Sequence, residues 1–215
     1  MPRIPTAAPR EIVPQAASTI DSASLVGDVL LVSYLVDAKS EVHRFALDGK
    51  SLGTVQLPGL GSTAGFSGEA GDPETFYSFA SFNVPTTIFH YDSATGRSTP
   101  FATPKVAFNR MTSRWNSAST NRRTARACRC SCCTRRACDL GSGSEAGVPT
   151  LLYAYGGFNV SMPPSFSPAN LAWAEMGGVY VLANIRGGGE YGKAWHDAGR
   201  LTHKQNVFDD FIAGR

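Results

Sequence analysis

Val148 to Gly192 reads VPTLLYAYGGFNVSMPPSFSPANLAWAEMGGVYVLANIRGGGEYG. Val148 to Tyr155 is a short run of apolar residues and tyrosine, which suits a strand buried on both faces. Gly156 and Gly157 end it. Ser167-Pro168 has the form of an N-cap followed by proline at the first helical position. Leu171, Ala172, Trp173 and Met176 continue a helical apolar face, and Gly177-Gly178 stops it. Val179 to Ile185 is a second buried strand, after which Gly187-Gly188-Gly189 opens a loop. Strand, helix, strand within about forty residues is a βαβ unit of a parallel sheet. Ligands of open α/β sheets bind beyond the carboxyl ends of such strands, where the Tyr153–Phe158 and Arg186–Tyr191 loops fall. Further on, Val207, Phe208, Phe211 and Ile212 share one face of a helix expected over Thr202 to Ile212.

Upstream, residues 11–105 read as β structure. Val29 to Val36 (VLLVSYLV) and Thr75 to Phe82 (TFYSFASF) are rich in β-branched and aromatic residues. Glu41–Ala46 and Thr86–Tyr91 follow as partner strands, with turns at 47–50 and 92–97 where Asp and Gly supply the unusual dihedrals. The pattern recurs at about 45 residues, as in β-propeller blades; a single β-sandwich is the alternative.

LLYAYGGFN, PSFS, GGVYVLANIRGGGEYG and KQNVFDDF, in this order and spacing, resemble the start of the catalytic domain of prolyl oligopeptidases. REIVP, TFYSF and PTTIFHYD resemble the last two blades of that family's seven-bladed propeller. The resemblance implies propeller blades over 1–105, a crossover over 106–147 and the start of an α/β-hydrolase domain over 148–215, with both domains incomplete. It also implies hydrolysis of short peptides after proline by a serine nucleophile, without a cofactor, by a protein that is monomeric when intact. Tyr155 matches the tyrosine whose hydroxyl donates to the oxyanion, and Phe158 a wall of the proline pocket. A neutral phenol placed where charge develops, and a flat apolar face for a ring without an N–H, suit those tasks. Core packing is the plainer alternative for both.

A serine peptidase of this fold carries its nucleophile in G-x-S-x-G. The one such string, Gly49-Lys50-Ser51-Leu52-Gly53, falls at a turn of the β region and not on a strand-to-helix turn, and the resemblance places the serine, aspartate and histidine of the triad beyond Arg215. The expectation is a chain inactive by itself, with a non-catalytic remnant or peptide-binding β-module as the alternative. His196 and His203 read as surface residues. Gly187 to Gly192 fits G-x-G-x-x-G as a string, but the charged Glu190 directly follows the glycine triplet, so a phosphate loop is rejected; Arg186 and Glu190 instead pair or brace that loop. Asp209 and Asp210 point about 100° apart on a helix and read as solvated charges, not as metal ligands.

The chain has 215 residues and a formal net charge of +3. The charge is local in origin. Residues 110–138, RMTSRWNSASTNRRTARACRCSCCTRRAC, hold eight arginines, no acid or lysine, and all five cysteines: Cys128, Cys130, Cys132, Cys133 and Cys138. Without the eight arginines, 12 basic residues face 17 acidic ones, a net of −5. A metal cluster fits poorly, because zinc sites take two separated ligand pairs and this is one crowded run. A nucleic-acid arm fits its surroundings no better. A local shift of reading frame fits well. Codons for these residues, read one nucleotide earlier, allow PDDFEVEQRFYxSKDGTRVPMFLLYKKGL, of the same length. That string has strands at FY and VPMFLLY and a hairpin turn at SKDGT, and it resembles the segment preceding the family's Tyr/Gly loop. The window as it stands is expected to be disordered. No signal-peptide h-region or membrane-length apolar run is present, so the expected location is cytoplasmic, with no membrane or nucleic-acid partner.

Overall fold

The computed structural model describes residues 8, 10–107, 113–120, 128–135 and 147–214, with little beyond backbone for 113–120 and 128–135. Two four-stranded antiparallel sheets come first. The first runs in the order β1 (Thr19–Val26), β2 (Val29–Val36), β3 (Lys39–Ala46), β4 (Ser51–Thr54). The second runs β5 (Ser62–Gly65), β6 (Glu74–Ser81), β7 (Val84–Asp92), β8 (Arg97–Ala102). β6 begins 45 residues after β2, and β7 45 after β3. The period expected from the sequence is therefore a repeat of whole sheets in simple meander order, the arrangement of propeller blades.

Alternation decides how the sheets meet. Val29 and Leu31 of β2 and Val42 of β3 face Tyr77 and Phe79 of β6 and Phe89 and Tyr91 of β7. Phe66 lies between them, its ring 4.4 Å from that of Tyr77 and stacked upon it. The opposite face of the first sheet, with Val32, Tyr34 and Phe45, is packed against Val13. The turns follow the sequence reading: Asp92 Oδ1 accepts from the amides of Ala94 and Thr95, and Asp48 Oδ1 from that of Lys50. The turn between β2 and β3 was not anticipated. Asp37 and Ala38 both adopt positive φ, 53° and 60°, without a glycine.

The third sheet is mixed, in the order β11 (Thr150–Tyr153), β12 (Val179–Asn184), β10 (Cys128–Arg135), β9 (Ser113–Thr120). β11 and β12 are parallel, joined through α1 (Pro168–Glu175), as a βαβ unit requires. Ser167 Oγ caps α1 by accepting from the Asn170 amide at 3.4 Å. α2 (Lys193–Asp197), a 3₁₀ turn (Leu201–His203) and α3 (Gln205–Ala213) follow.

Four expectations need correction. The arginine–cysteine window is not wholly irregular: β9 and β10 pair antiparallel from Ser113↔Arg135 to Thr120↔Cys128, and β10 continues onto β12. Ladder hydrogen bonds are made by the main chain, so an unfavourable side-chain pattern does not forbid them. Residues 110–112, 121–127 and 136–138 lie outside the described residues. Along β11, Leu151 and Tyr153 are exposed on the face that α1 covers over β12 and β10, whereas Val148, Leu152 and Ala154 pack inward on the other. Met176 caps α1 in solvent, and the helix buries Leu171 and Ala174 instead. On α3 the buried residues are Val207 and Asp210, while Phe208, Phe211 and Ile212 are exposed. Asp210 turns inward because Arg186 waits there.

Candidate functional site

The two loops at the carboxyl ends of β11 and β12 interlock. Gly156, at φ +58°, packs so closely that a Cβ would lie 2.6 Å from Ile185 Cγ1 and 2.7 Å from Val207 Cγ1. At Gly187, φ +94°, a Cβ would meet the Gly156 carbonyl oxygen at 2.6 Å. Only glycine lets backbone approach backbone this way. Lys204 Nζ donates to the same Gly156 oxygen at 3.0 Å, tying the start of α3 to the turn.

Phe158 and Asn159 follow with φ of 53° and 58°. Side chains other than glycine avoid this region, and two in succession persist only where neighbours enforce them. The enforcement is visible. The Gly187 oxygen lies 3.2 Å from the Asn159 amide and 2.7 Å from His196 Nδ1. The amide also lies 3.1 Å from that Nδ1. Both ring contacts cannot be hydrogen bonds at once. The shorter one assigns the proton to Nδ1, which donates to Gly187, and the Asn159 N–H then donates to the same oxygen. His196 is thus half-buried and bonded, whereas His203 is exposed as expected.

Past Val160 the chain is clamped. Met162 N–H donates to Glu190 Oε1 at 2.9 Å, and the Met162 oxygen accepts from Asn184 Nδ2 at 2.9 Å. Asn184 Nδ2 also reaches Glu190 Oε1 at 3.2 Å. Glu190 is buried, its Oε2 without a hydrogen-bond partner among the described residues. Burial pushes its carboxyl above the usual range, against smaller opposing effects of its hydrogen bonds. Glu190 thus braces the loop, as the sequence suggested, but Arg186 pairs elsewhere. Its Nε and backbone N–H reach Asp210 Oδ2 at 2.8 and 3.0 Å, and its Nη2 reaches Oδ1 at 2.7 Å. Asp210 is therefore an ion-pair partner inside the fold and not a solvated charge.

These anchors display two side chains. Phe158 is 87% exposed and Tyr155 is 47% exposed. Phe158 and Gly157 border a cleft of about 650 Å³ with Gly187, His196, Leu201 and Lys204. Tyr155 shares the exposed face of Leu151 and Tyr153 along the β11 direction. Sequence reasoning singled out Tyr155 and Phe158 but missed His196, Lys204 and Asn184, whose tasks depend on where two distant loops meet. Among the described residues no three His, Cys, Asp or Glu side chains gather as metal ligands.

Propeller blades set beside the opening βαβ unit of a hydrolase sheet define a class of two-domain peptidases. The family model "Prolyl oligopeptidase, N-terminal beta-propeller domain" matches residues 3–104, and "Prolyl oligopeptidase family" matches residues 164–215. The chain belongs to the prolyl oligopeptidase family. It is 41% identical over 187 residues to a prolyl endopeptidase of Elizabethkingia meningoseptica, covering 87% of this chain and 26% of that protein. A prolyl endopeptidase of Dictyostelium discoideum is 32% identical over 211 residues, covering 94% of this chain and 27% of its own length. A solved structure from work on two prolyl endopeptidases and their inter-domain dynamics superimposes with a TM-score of 0.88 at 42% identity. It covers 95% of this chain and 30% of that one. Prolyl oligopeptidase B from Galerina marginata, solved bound to a 35mer hydrolysis and macrocyclization substrate, gives a TM-score of 0.86 at 25% identity, over 95% of this chain and 29% of that one. The chain thus spans about a quarter of the length of these curated relatives.

Proposed function

We propose that this chain supplies the substrate-facing loop of a cytoplasmic serine peptidase that cleaves short peptides after proline. The observation that carries this reading is the exposed Phe158 ring, held in a left-handed backbone conformation at the rim of the cleft. Strained backbone of this kind clusters at ligand-binding sites, and here it presents an aromatic ring to the cleft. A pyrrolidine ring fits that face, since it offers apolar surface and no N–H. The Tyr155 hydroxyl, two residues past the end of β11, donates to the oxyanion that forms at the scissile carbonyl. Nucleophile, base and orienting acid come from the part of the relatives' length that this chain does not span.

The test has two arms on purified residues 1–215. A blocked Gly-Pro amide should perturb the NMR signals of Phe158 and its neighbours, and Phe158→Ala should abolish the effect. A blocked Gly-Pro reporter should not be cleaved. Turnover would refute the assignment of the triad to sequence outside this chain, and binding that ignores Phe158→Ala would refute the pocket.

We further infer that residues 110–138 carry a shifted reading frame. The alternative string places VPMFLLY over 128–134, within β10, and SKDGT between β9 and β10. Ser131 supports this. It is 6% exposed, opposite Leu182 and beneath α1, where the alternative string has phenylalanine. Sequencing the locus from the codon for Asn109 decides it; an uninterrupted frame refutes it.

A further inference from the structure

We propose that Phe82, a residue of the second blade, is a positioning residue for the Tyr155–Phe158 loop, acting through the strap 161–167. Phe82 sits at the tip between β6 and β7, where a turn ordinarily carries polar residues. It is nevertheless only 2% exposed. Its ring enters a pocket on the hydrolase sheet with Leu171, Tyr180 and Leu182, against which Met162, Phe166 and Trp173 pack. The ring centroid lies 6.2 Å from that of Tyr180.

Two of those neighbours, Met162 and Phe166, belong to the strap that leaves the substrate-facing loop and enters α1. The same blade grips the strap again: Ser62 Oγ donates to the Pro164 oxygen at 2.7 Å. From the other side Asn184 and Glu190 hold both polar groups of the Met162 backbone. The strap is thus pinched between blade and sheet, and it starts three residues after Phe158. Phe158 and Asn159 keep their left-handed conformations only while the surrounding chain forces them to. The blade therefore supplies part of that force. Withdrawing Phe82 reduces the blade's hold on the strap to the Ser62 hydrogen bond and lets the two residues relax toward ordinary backbone angles. Seating of the propeller on the hydrolase sheet is in this way felt at the substrate face, with no propeller residue required to touch substrate.

Its bearing on catalysis rests on the role proposed above for the loop, but the test contains no ligand, so either can fail without the other. Hydrogen exchange of residues 1–215 is followed by mass spectrometry in peptides covering 156–162, 179–184 and 29–46. Phe82→Ala is expected to speed exchange about tenfold in 156–162, and less than about threefold in the other two. Phe82→Leu, which keeps the apolar plug but loses the ring, is expected to give about threefold in 156–162 alone. Phe76→Ala, on the outer face of the same sheet, should change none of them. Unchanged exchange at 156–162 in Phe82→Ala overturns the proposal. If Phe82→Ala exchanges uniformly fast, as an unfolded chain would, Phe82→Leu decides: a rise confined to the loop supports the proposal, and a uniform rise or none overturns it.

Discussion

Removing the Asp210 carboxylate should unlock the base of the site. Asp210 accepts three hydrogen bonds from Arg186, two from the side chain and one from the backbone. The side chains are 7% and 14% exposed, so the pair lies mostly out of water. Asp210→Ala takes the carboxylate from a guanidinium that keeps a longer contact with the neutral Asn206 oxygen, at 3.4 Å. Breaking a buried pair from one side costs about 3–5 kcal/mol, because the surviving charge is left uncompensated. Asp210→Asn retains one good acceptor and turns an N–H₂ toward the guanidinium, so about half that loss is expected. Arg186→Met with Asp210→Leu removes both charges and should return to within about 1–2 kcal/mol of the parent. Urea unfolding followed by tryptophan fluorescence, to which Trp195 contributes beside Trp115 and Trp173, is the assay. The Trp195 indole is 2% exposed and donates to the Ile185 oxygen, one residue from Arg186. A loss below about 1 kcal/mol for Asp210→Ala would refute the reasoning, since an exposed pair behaves that way. So would a double variant as unstable as the single one.

Three further outcomes follow from other parts of the molecule. Ala38→Gly should raise the unfolding free energy by about 1 kcal/mol, since φ +60° strains alanine and not glycine; a lower urea midpoint would contradict this. Glu190 has its folded-state carboxyl above the ordinary range, so the native state binds the proton more tightly than the unfolded chain. Its contribution is complete below the unfolded value and is lost as pH rises through the folded one; Glu190→Gln should therefore flatten the fall in stability above about pH 4.3, measured by unfolding at a series of pH values. Replacing 110–138 with PDDFEVEQRFYNSKDGTRVPMFLLYKKGL, keeping Asn121 at its undetermined position, should raise the thermal midpoint, because β10 then offers apolar side chains opposite β12; an unchanged midpoint would count against the shifted frame.

The blades were legible because alternation and turn residues are local signals. Val29 to Val36 was placed to the residue, and the 45-residue period needed only β2, β3 and their echoes in β6 and β7. Ser167-Pro168 marked the start of α1 for the same reason. What escaped depended on partners distant in sequence. The hydrophobic face assigned to α3 was overridden by one ion pair, because Arg186 lies 24 residues from Asp210. The burial expected on both faces of β11 assumed a covering layer, and α1 packs instead over β10, β12 and β9. At the candidate site, the motif singles out Tyr155 and Phe158, whose exposed side chains the structure places beyond the end of β11. The histidine and lysine that hold the loop carry no motif, and the plug formed by Phe82 looked like the end of a strand.

Gly156, Gly187 and Gly199 form a column in which each missing side chain is the space another residue's atoms occupy. At Gly199 a Cβ would fall 2.4 Å from the Gly187 nitrogen. Mutational tolerance around this site is therefore inverted. Alanine scanning usually reports what is lost when a side chain is cut back, but along this column it would report the cost of adding one carbon. The least replaceable positions near the candidate site are those that contribute no side chain of their own, and a survey of reactive side chains would pass over them.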